Sequence, residues 1–442
     1  MGDRHLPVFR SRLAVTLAAL AVVFQPVTTA SAETDFAATP PSSQWWLAEY
    51  GFVEAWNVSR GSGVMVAVID TGIDGSHPDL AARVTAGTDF SGIGTPDGLT
   101  PVGTAAHHGT MVASLIAGQG QQTGGVWGVA PEAELLAISI GLGVPGADTD
   151  AQIAAAIRWA VAAGARIINL SLSRASTDWP QSWDEALLYA FQNDVIVVAA
   201  IGAETKGSTT ASAPGVIPGV VTVAALSRDG KPVPSSPESI ELDVMAPGEA
   251  LLGSYPGGGS RSWGGASAAA PIVSGLLALL LSAEPQLSAA EAISILRSSA
   301  KTDAQTDFSA DIGYGVIDAD AALNQEWPSE SLTNPLDELS RWIGLYRPAG
   351  SEATTAGASS GQTLVIPPDP GGQNGEIELS NTQFSADSPW LIPLLLALFG
   401  FSLVGSLALL SRRNATKKPE GPKDAKSARK RNSTRATERD AD

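Results

Sequence analysis

Three side chains of this 442-residue sequence have the chemistry of a nucleophile, a base and a group that orients the base. Ser267 lies where a glycine pair meets a small-residue apolar stretch, where free backbone N–H groups and a positive helix end could stabilise an oxyanion. His108 opens a second small-residue apolar stretch, and Asp70 ends a short apolar run. A serine hydroxyl becomes a good nucleophile once a base takes its proton, and neutral imidazole can do so near pH 7. Taken alone, the Ser267 stretch is equally consistent with a turn that begins a core helix.

The elements predicted around these residues would bring them to one edge of a sheet. Residues 64–70 form an apolar run of strand character, which places Asp70 at the carboxyl end of a buried strand, where open α/β sheets keep their sites. Pro271 is expected in the first turn of the helix that follows Ser267. Further strands are predicted at 135–140, 166–170, 195–200, 220–224 and 242–245, and further helices at 108–118, 150–163, 181–192 and 288–299. This alternation predicts an α/β fold with a largely parallel sheet and helices on both faces.

Three motifs in this order resemble those of the subtilases, the subtilisin-like serine proteases. They are V-I-D-T-G at 68–72, H-G-T at 108–110 and S-A-A-A-P at 267–271. Any one would be a weak signal, but the order Asp, His, Ser is the order of the subtilisin triad. The resemblance implies a subtilisin-like three-layer fold over residues 44–326 and a serine endopeptidase that needs no cofactor. It also implies that Ser267 is the nucleophile, His108 the general base and acid, and Asp70 the carboxylate that orients the imidazole.

The sequence departs from the family pattern close to these residues. The resemblance places Ala203 where the family has an asparagine that donates to the oxyanion, which leaves the backbone N–H of Ser267 as a donor. Losing the asparagine donor lowers turnover by about 10² to 10³. Ser171, Leu172 and Ser173 match the strand that pairs with the substrate backbone, and Ser173 replaces a glycine, which is expected to narrow the first specificity pocket. The resemblance gives His77 and His107 no catalytic role.

The two ends of the chain predict export and a membrane anchor. Three arginines, an apolar core and Ala-Ser-Ala are typical of a secretory signal peptide over 1–32, followed by a short extension at 33–43. Residues 327–388 are rich in Pro, Gly, Ser and Thr and are interpreted as a tether. Residues 390–410 are 21 residues without a charge, enough for a single transmembrane helix. The tail at 411–442 has 11 Lys/Arg against 5 Asp/Glu, which predicts a cytoplasmic side.

Charge and residue content restrict the partners. Removing the tail's +6 and the signal region's +2 from the net charge of −18 leaves about −26 for the exported part, which argues against nucleic acid as a partner. The chain has no cysteine and four histidines, so no metal site is predicted, although a structural calcium ion in a surface loop stays open. The expected partners are a protein or peptide substrate and, through one helix, the lipid bilayer.

Two function hypotheses follow. The first is a membrane-anchored serine endopeptidase whose catalytic domain is extracellular and whose turnover is lowered by the incomplete oxyanion hole. The second is a weak or inactive subtilase domain that binds or assembles other components of a membrane secretion complex. The second is suggested by three departures from the family pattern, Ala203, Ser173 and Ala266, the last of which stands where the family has threonine. It is also suggested by the membrane anchor and the domain layout, which resembles that of mycosins, the membrane-anchored subtilases of actinobacterial type VII secretion. The substrate is not indicated by the sequence.

Overall fold

A seven-stranded parallel sheet forms the centre of the fold. The computed structural model of the chain describes residues 40–121, 124–202, 211–233, 237, 239, 241–302, 308–324, 333–347 and 364–365. The strands are β1 (Met65–Asp70), β2 (Val84–Asp89), β3 (Glu134–Ser139), β4 (Ile167–Leu170), β5 (Ser173–Arg174), β6 (Ile196–Ala200), β7 (Val221–Leu226), β8 (Val244–Pro247), β9 (Leu251–Ser254), β10 (Ser260–Trp263) and β11 (Leu364–Val365). The large sheet has the order β2-β3-β1-β4-β6-β7-β8, and its neighbouring strands are parallel.

Helices cover both faces of this sheet. They are α1 (Trp45–Glu49), α2 (Phe52–Ala55), α3 (His108–Ala117), α4 (Thr149–Ala162), α5 (Gln181–Gln192), α6 (Ala266–Ala283), α7 (Ala289–Ser299), α8 (Ala319–Asn324) and α9 (Pro335–Tyr346). Side chains of β1 alternate between two cores: Val66 and Val68 pack in the core that holds α3 and α6, and Ala67 and Ile69 pack in the core that holds α4 and α5. The predicted three-layer α/β fold is therefore confirmed.

The strand order creates a crevice between β1 and β4. From β1 the chain crosses to β2 and β3 on one side, whereas from β4 it continues to β6, β7 and β8 on the other. Ligand sites of open α/β sheets lie at such a reversal, outside the carboxyl ends of the strands. Asp70 is the last residue of β1, and Ser171 directly follows the end of β4. The topology therefore places both residues at this crevice.

Helix α6 runs through the core beneath this crevice. It is long and apolar enough to cross a bilayer, but 89% of it is buried inside the fold, as expected for the core helix of a globular domain. Among the described residues no other helix meets that length and composition. The predicted signal peptide, transmembrane helix and basic tail lie outside the described residues, as do residues 33–39 of the predicted extension at 33–43.

Part of the segment interpreted as a tether is a packed helix. The side chain of Asn334 accepts a hydrogen bond from the N–H of Leu336 and caps α9, whose first residue is proline. The ring of Trp342 packs on Trp179 at 4.5 Å between centroids, and Arg347 is 3.1 Å from the carboxylate of Asp184 on α5. These contacts fix α9 to the α4–α5 face of the domain.

Candidate active site

Asp70 and His108 form a buried pair at the end of β1. The carboxylate of Asp70 is fully buried, and one of its oxygens accepts a hydrogen bond of 2.7 Å from the N–H of Thr71. The Nδ1 atom of His108 lies 2.9 Å from both carboxylate oxygens. Because an ionised carboxylate only accepts hydrogen bonds, Nδ1 carries a proton, and in the neutral ring the lone pair is then on Nε2. The pair therefore holds the imidazole in the tautomer that a general base needs.

The start of α3 holds His108 in this position. His108 is the first residue of the helix, and the N–H of the next residue, Gly109, donates to Thr71 Oγ1 at 3.0 Å. The ring of Trp263 meets the imidazole edge-on at 5.5 Å between centroids. The Nε2 atom is buried and has no hydrogen-bond partner in the described part of the chain. The lone pair of His108 is thus kept available next to β10, the strand that leads into Ser267.

Ser267 lies at the beginning of α6, as the sequence predicts. It is the second residue of that helix, so its N–H is among the first four, which have no acceptor within the helix. Its Oγ donates a hydrogen bond of 3.0 Å to the carbonyl oxygen of Ser171. In return, Ser171 Oγ donates to the carbonyl oxygen of Ser267 at 2.9 Å. These reciprocal bonds join the end of β4 to the start of α6.

Pro271 explains why the Ser267 carbonyl is free to accept that bond. The helix begins at Ala266, so Pro271 lies inside it, and the prediction that it occupies the first turn was wrong. Proline has no N–H, and the N–H four residues after Ser267 would otherwise bond to the Ser267 carbonyl. The hydroxyl of Ser171 takes that place. The proline therefore gives the end of β4 a defined attachment point on the backbone of Ser267.

A buried polar network supports Ser171 from behind. The amide nitrogen of Asn169 donates to Ser171 Oγ at 2.9 Å, and Ser274 Oγ donates to the amide oxygen of Asn169 at 2.9 Å. All three side chains are fully buried. Asn169 and Ser274 were not predicted as site residues, although a polar residue inside the apolar strand run I-I-N-L is a usable signal, since buried polar groups need partners.

The structure brings together only part of the predicted triad contacts. Asp70 and His108 are bonded directly, whereas the hydroxyl of Ser267 is bonded to Ser171 and not to His108 Nε2. Trp263, four residues before Ser267, contacts the imidazole of His108, so β10 connects the Asp70–His108 pair to the segment that leads to Ser267. Ala203 lies outside the described residues. Ser173 is buried in β5, at the end of the predicted substrate strand.

His77 and His107, with the nearby carboxylate of Asp79, have structural contacts. His77 Nε2 lies 3.2 Å from the carbonyl of Gly259, and the buried carboxylate of Asp79 accepts bonds from two backbone N–H groups and from Ser254 Oγ. His107 stacks on Tyr255 at 5.5 Å between ring centroids. Within the described residues no group of three His, Asp or Glu side chains could hold a metal ion.

Comparison with known proteins identifies the family. The model of the peptidase S8, subtilase family matches residues 61–315, more than half of the chain. Subtilisin E of Bacillus subtilis (strain 168) is 36% identical over 266 residues, which cover 59% of this chain and 66% of subtilisin E, just under two thirds.

Solved structures agree with this match. Fervidolysin of Fervidobacterium pennivorans, a keratinolytic enzyme related to subtilisin, superposes with a TM-score of 0.57 at 30% identity, covering 65% of this chain and 46% of fervidolysin. The MycP3 protease from the type VII (ESX-3) secretion system superposes with a TM-score of 0.54 at 33% identity, covering 64% of this chain and 88% of the MycP3 chain. The chain belongs to the subtilase family.

Proposed function

We propose that the chain is a serine endopeptidase in which Ser267, His108 and Asp70 carry the reaction. The observation that carries this proposal is the buried Asp70–His108 pair, with 2.9 Å from Nδ1 to each carboxylate oxygen and a free Nε2 beside the segment that ends in Ser267. A buried imidazole whose Nδ1 is bonded to a carboxylate and whose Nε2 has no partner is arranged as a general base that can accept a proton at Nε2.

The proposed reaction begins with a rotation of the Ser267 side chain. The hydroxyl leaves the Ser171 carbonyl and turns towards His108 Nε2, which takes its proton as Oγ attacks the carbonyl carbon of the scissile peptide. Asp70 stabilises the imidazolium that forms. His108 then gives the proton to the leaving amine. In the second half of the reaction His108 takes a proton from a water molecule that attacks the acyl carbon, and it returns this proton to Ser267 Oγ as the acyl bond breaks. Ser267, freed of the acyl group, completes the cycle.

The oxyanion of this reaction would be stabilised mainly by the N–H of Ser267. This N–H has no helical acceptor and lies at the positive end of α6. Ala203 has no side-chain donor, so the proposal includes a turnover lowered by about 10² to 10³ relative to a subtilase with the asparagine. Slow turnover through one donor is still catalysis.

The proposed location is the outer face of the cell membrane. It is supported by the signal-like residues 1–32, the uncharged residues 390–410 and the basic residues after them. The match to MycP3 supports the related proposal that membrane components of a secretion system are partners. No cofactor enters the proposed reaction.

The second candidate is a subtilase domain that binds or assembles partners without cleaving them. The orientation of the Ser267 hydroxyl favours it, because this hydroxyl is bonded to the Ser171 carbonyl and not to His108. The absence of a side-chain donor at Ala203 also favours the second candidate. We place the enzyme first because the buried Asp70–His108 pair leaves Nε2 without a partner beside the segment that leads to Ser267.

A fluorophosphonate probe separates the two candidates, because it labels a serine only when a base activates the hydroxyl. The enzyme proposal predicts labelling of the intact chain and of Ser282→Ala, and none of Ser267→Ala. Ser282 is the matched control, since it lies on the same helix and bonds to the carbonyl of Ser62 at the exposed end. Intact protein that unfolds cooperatively yet stays unlabelled after a day supports the second candidate.

A further inference from the structure

A short strand from beyond α9 pairs with the strand next to Ser267. Leu364 and Val365 form β11, which runs antiparallel to β5, with Val365 opposite Ser173 and Leu364 opposite Arg174. β11 lies within residues 327–388, the segment that the sequence analysis interpreted as a tether. The chain therefore places part of its own tether on the strand that the subtilase resemblance assigns to substrate backbone.

The hydrogen bonds of β5 show which backbone groups face β11. The N–H of Arg174 donates to the carbonyl of Ala213 at 2.7 Å, so it points away from β11. Since neighbouring N–H groups of a strand point to opposite sides, the N–H and carbonyl of Ser173 point towards Val365. Ser173 and Val365 are thus the pair that exchanges backbone hydrogen bonds.

This pair lies close to the nucleophile. The carbonyl of Ser171 accepts the Ser267 hydroxyl, and Ser173 lies two residues further along the chain. At about 3.3 Å per residue, that is a distance of about 7 Å along an extended chain. A peptide that reaches Ser267 by pairing with residues 171–173 needs the same Ser173 backbone groups. It cannot pair there while β11 does.

We propose that Leu364 and Val365 act as an internal competitor that occupies the substrate strand and lowers the activity of the enzyme. This inference rests on the proposed function. The geometry supports it in a second way, because α9 is fixed to the domain and 17 residues separate its last residue, Tyr346, from Leu364. Linkers of about this length give a tethered segment an effective concentration near the millimolar range. Even a short pairing then competes with dilute substrate.

The test is a proline at position 365 of the full chain. Val365→Pro removes the N–H that pairs with Ser173, and losing one backbone hydrogen bond shifts the equilibrium towards the free cleft by about 3- to 10-fold. The matched control is Thr355→Pro, which places the same residue in the same tether outside the paired strand. We expect KM for a fluorogenic peptide to fall about 3- to 10-fold in Val365→Pro with kcat unchanged, and both constants to stay as in the intact chain in Thr355→Pro.

A free peptide of sequence 361–369 provides the reciprocal measurement. It should inhibit Val365→Pro competitively, and it should inhibit the intact chain more weakly by the same 3- to 10-fold factor. Equal KM values and equal fluorophosphonate labelling rates for the intact chain and Val365→Pro would overturn this inference and leave the proposed function in place. If none of the folded proteins is labelled, the proposed function fails, and the inference fails with it.

Discussion

The glycine that follows His108 is predicted to be indispensable for the Asp70–His108 pair. A Cβ atom on Gly109 would lie 2.3 Å from the carbonyl oxygen of Gly72 and 3.2 Å from the Cβ and Oδ1 atoms of Asp70. Contacts of a Cβ atom below 3.4 Å are already tight, and the first of these neighbours is backbone at the end of β1. Gly109→Ala must therefore separate the start of α3 from the end of β1 by about 1 Å.

A shift of that size breaks the bond that orients the imidazole. The Nδ1 atom of His108 is 2.9 Å from the Asp70 carboxylate, and another 1 Å takes it beyond hydrogen-bond distance. A misplacement of 1 Å costs about 10²-fold in rate, and loss of the correct tautomer costs up to about 10⁴-fold. We expect kcat/KM for a peptide substrate and the rate of fluorophosphonate labelling to fall by at least 10²-fold in Gly109→Ala.

The matched control is Gly344→Ala in α9, where an added Cβ meets no atom within 4 Å. This helix gains up to about 1 kcal/mol from the better propensity of alanine, and labelling should not change. Circular dichroism and thermal unfolding would show whether both variants keep the native fold. Labelling of folded Gly109→Ala at the rate of the intact chain would refute the argument, because it would mean that the Asp70–His108 bond is not needed or not disturbed.

Three further predictions concern other parts of the molecule. Ser288→Ala removes a capping box and should lower the free energy of unfolding by about 1 kcal/mol. Hydrogen bonds from the Ser288 side chain and N–H lower the pKa of Glu291 in the folded state, so this stabilisation is complete above the ordinary pKa of 4.5 and is lost as pH falls through the lower folded pKa. The difference in Tm between Ser288→Ala and the intact chain should therefore shrink in acid. Trp342→Ala should cost about 1 kcal/mol through lost packing on Trp179 and raise hydrogen exchange across α9 without changing labelling, whereas faster labelling would show that α9 affects the site directly. Ala203→Asn should raise kcat about 10²-fold with KM unchanged in steady-state kinetics, and an unchanged kcat would mean that position 203 does not face the oxyanion.

The central strands could be predicted because both of their faces are buried. β1, β4 and β6 are short continuous apolar runs, and each was expected within two residues of where it begins and ends. β2 was not predicted. It is an edge strand whose sequence, V-T-A-G-T-D, is partly exposed along its whole length, so its pattern does not differ from that of a loop. Its pairing with β3 comes from tertiary contacts and not from a hydrophobic signal.

Helix α9 has a helix signal in its sequence, but the average composition of residues 327–388 does not show it. The surrounding residues 327–388 are rich in loop-forming types, and the average of the segment favours a tether. Within it, Asn334 and Pro335 form a helix start, and apolar residues follow at 336, 339, 342 and 343 with helical spacing. A shorter window would have predicted the helix. The pairing of β11 with β5 has no comparable signal, since two residues are too few to show a period.

For the candidate site, the sequence predicted the contact between Asp70 and His108 but not the direction of the Ser267 hydroxyl. The motifs around Asp70, His108 and Ser267 identify the chemistry, and the buried bond between the first two follows from placing a strand end beside a helix start. The direction of the Ser267 hydroxyl depends on which acceptor lies nearest in three dimensions. That acceptor belongs to Ser171, 96 residues earlier in the chain. No local pattern contains this information.

The contacts of Ser171 connect Ser267, the proposed nucleophile, to the strand that pairs with β11. The Ser171 hydroxyl is fixed to the Ser267 carbonyl, which is free because Pro271 cannot donate to it, while its own carbonyl holds the Ser267 hydroxyl away from His108. Ser173, two residues later, pairs with Val365. A substrate that displaces β11 therefore pairs with the same short segment that holds the hydroxyl. Because a backbone N–H from the substrate competes for the Ser171 carbonyl, binding would release the hydroxyl towards Nε2, so that the base receives its proton when a peptide is in place.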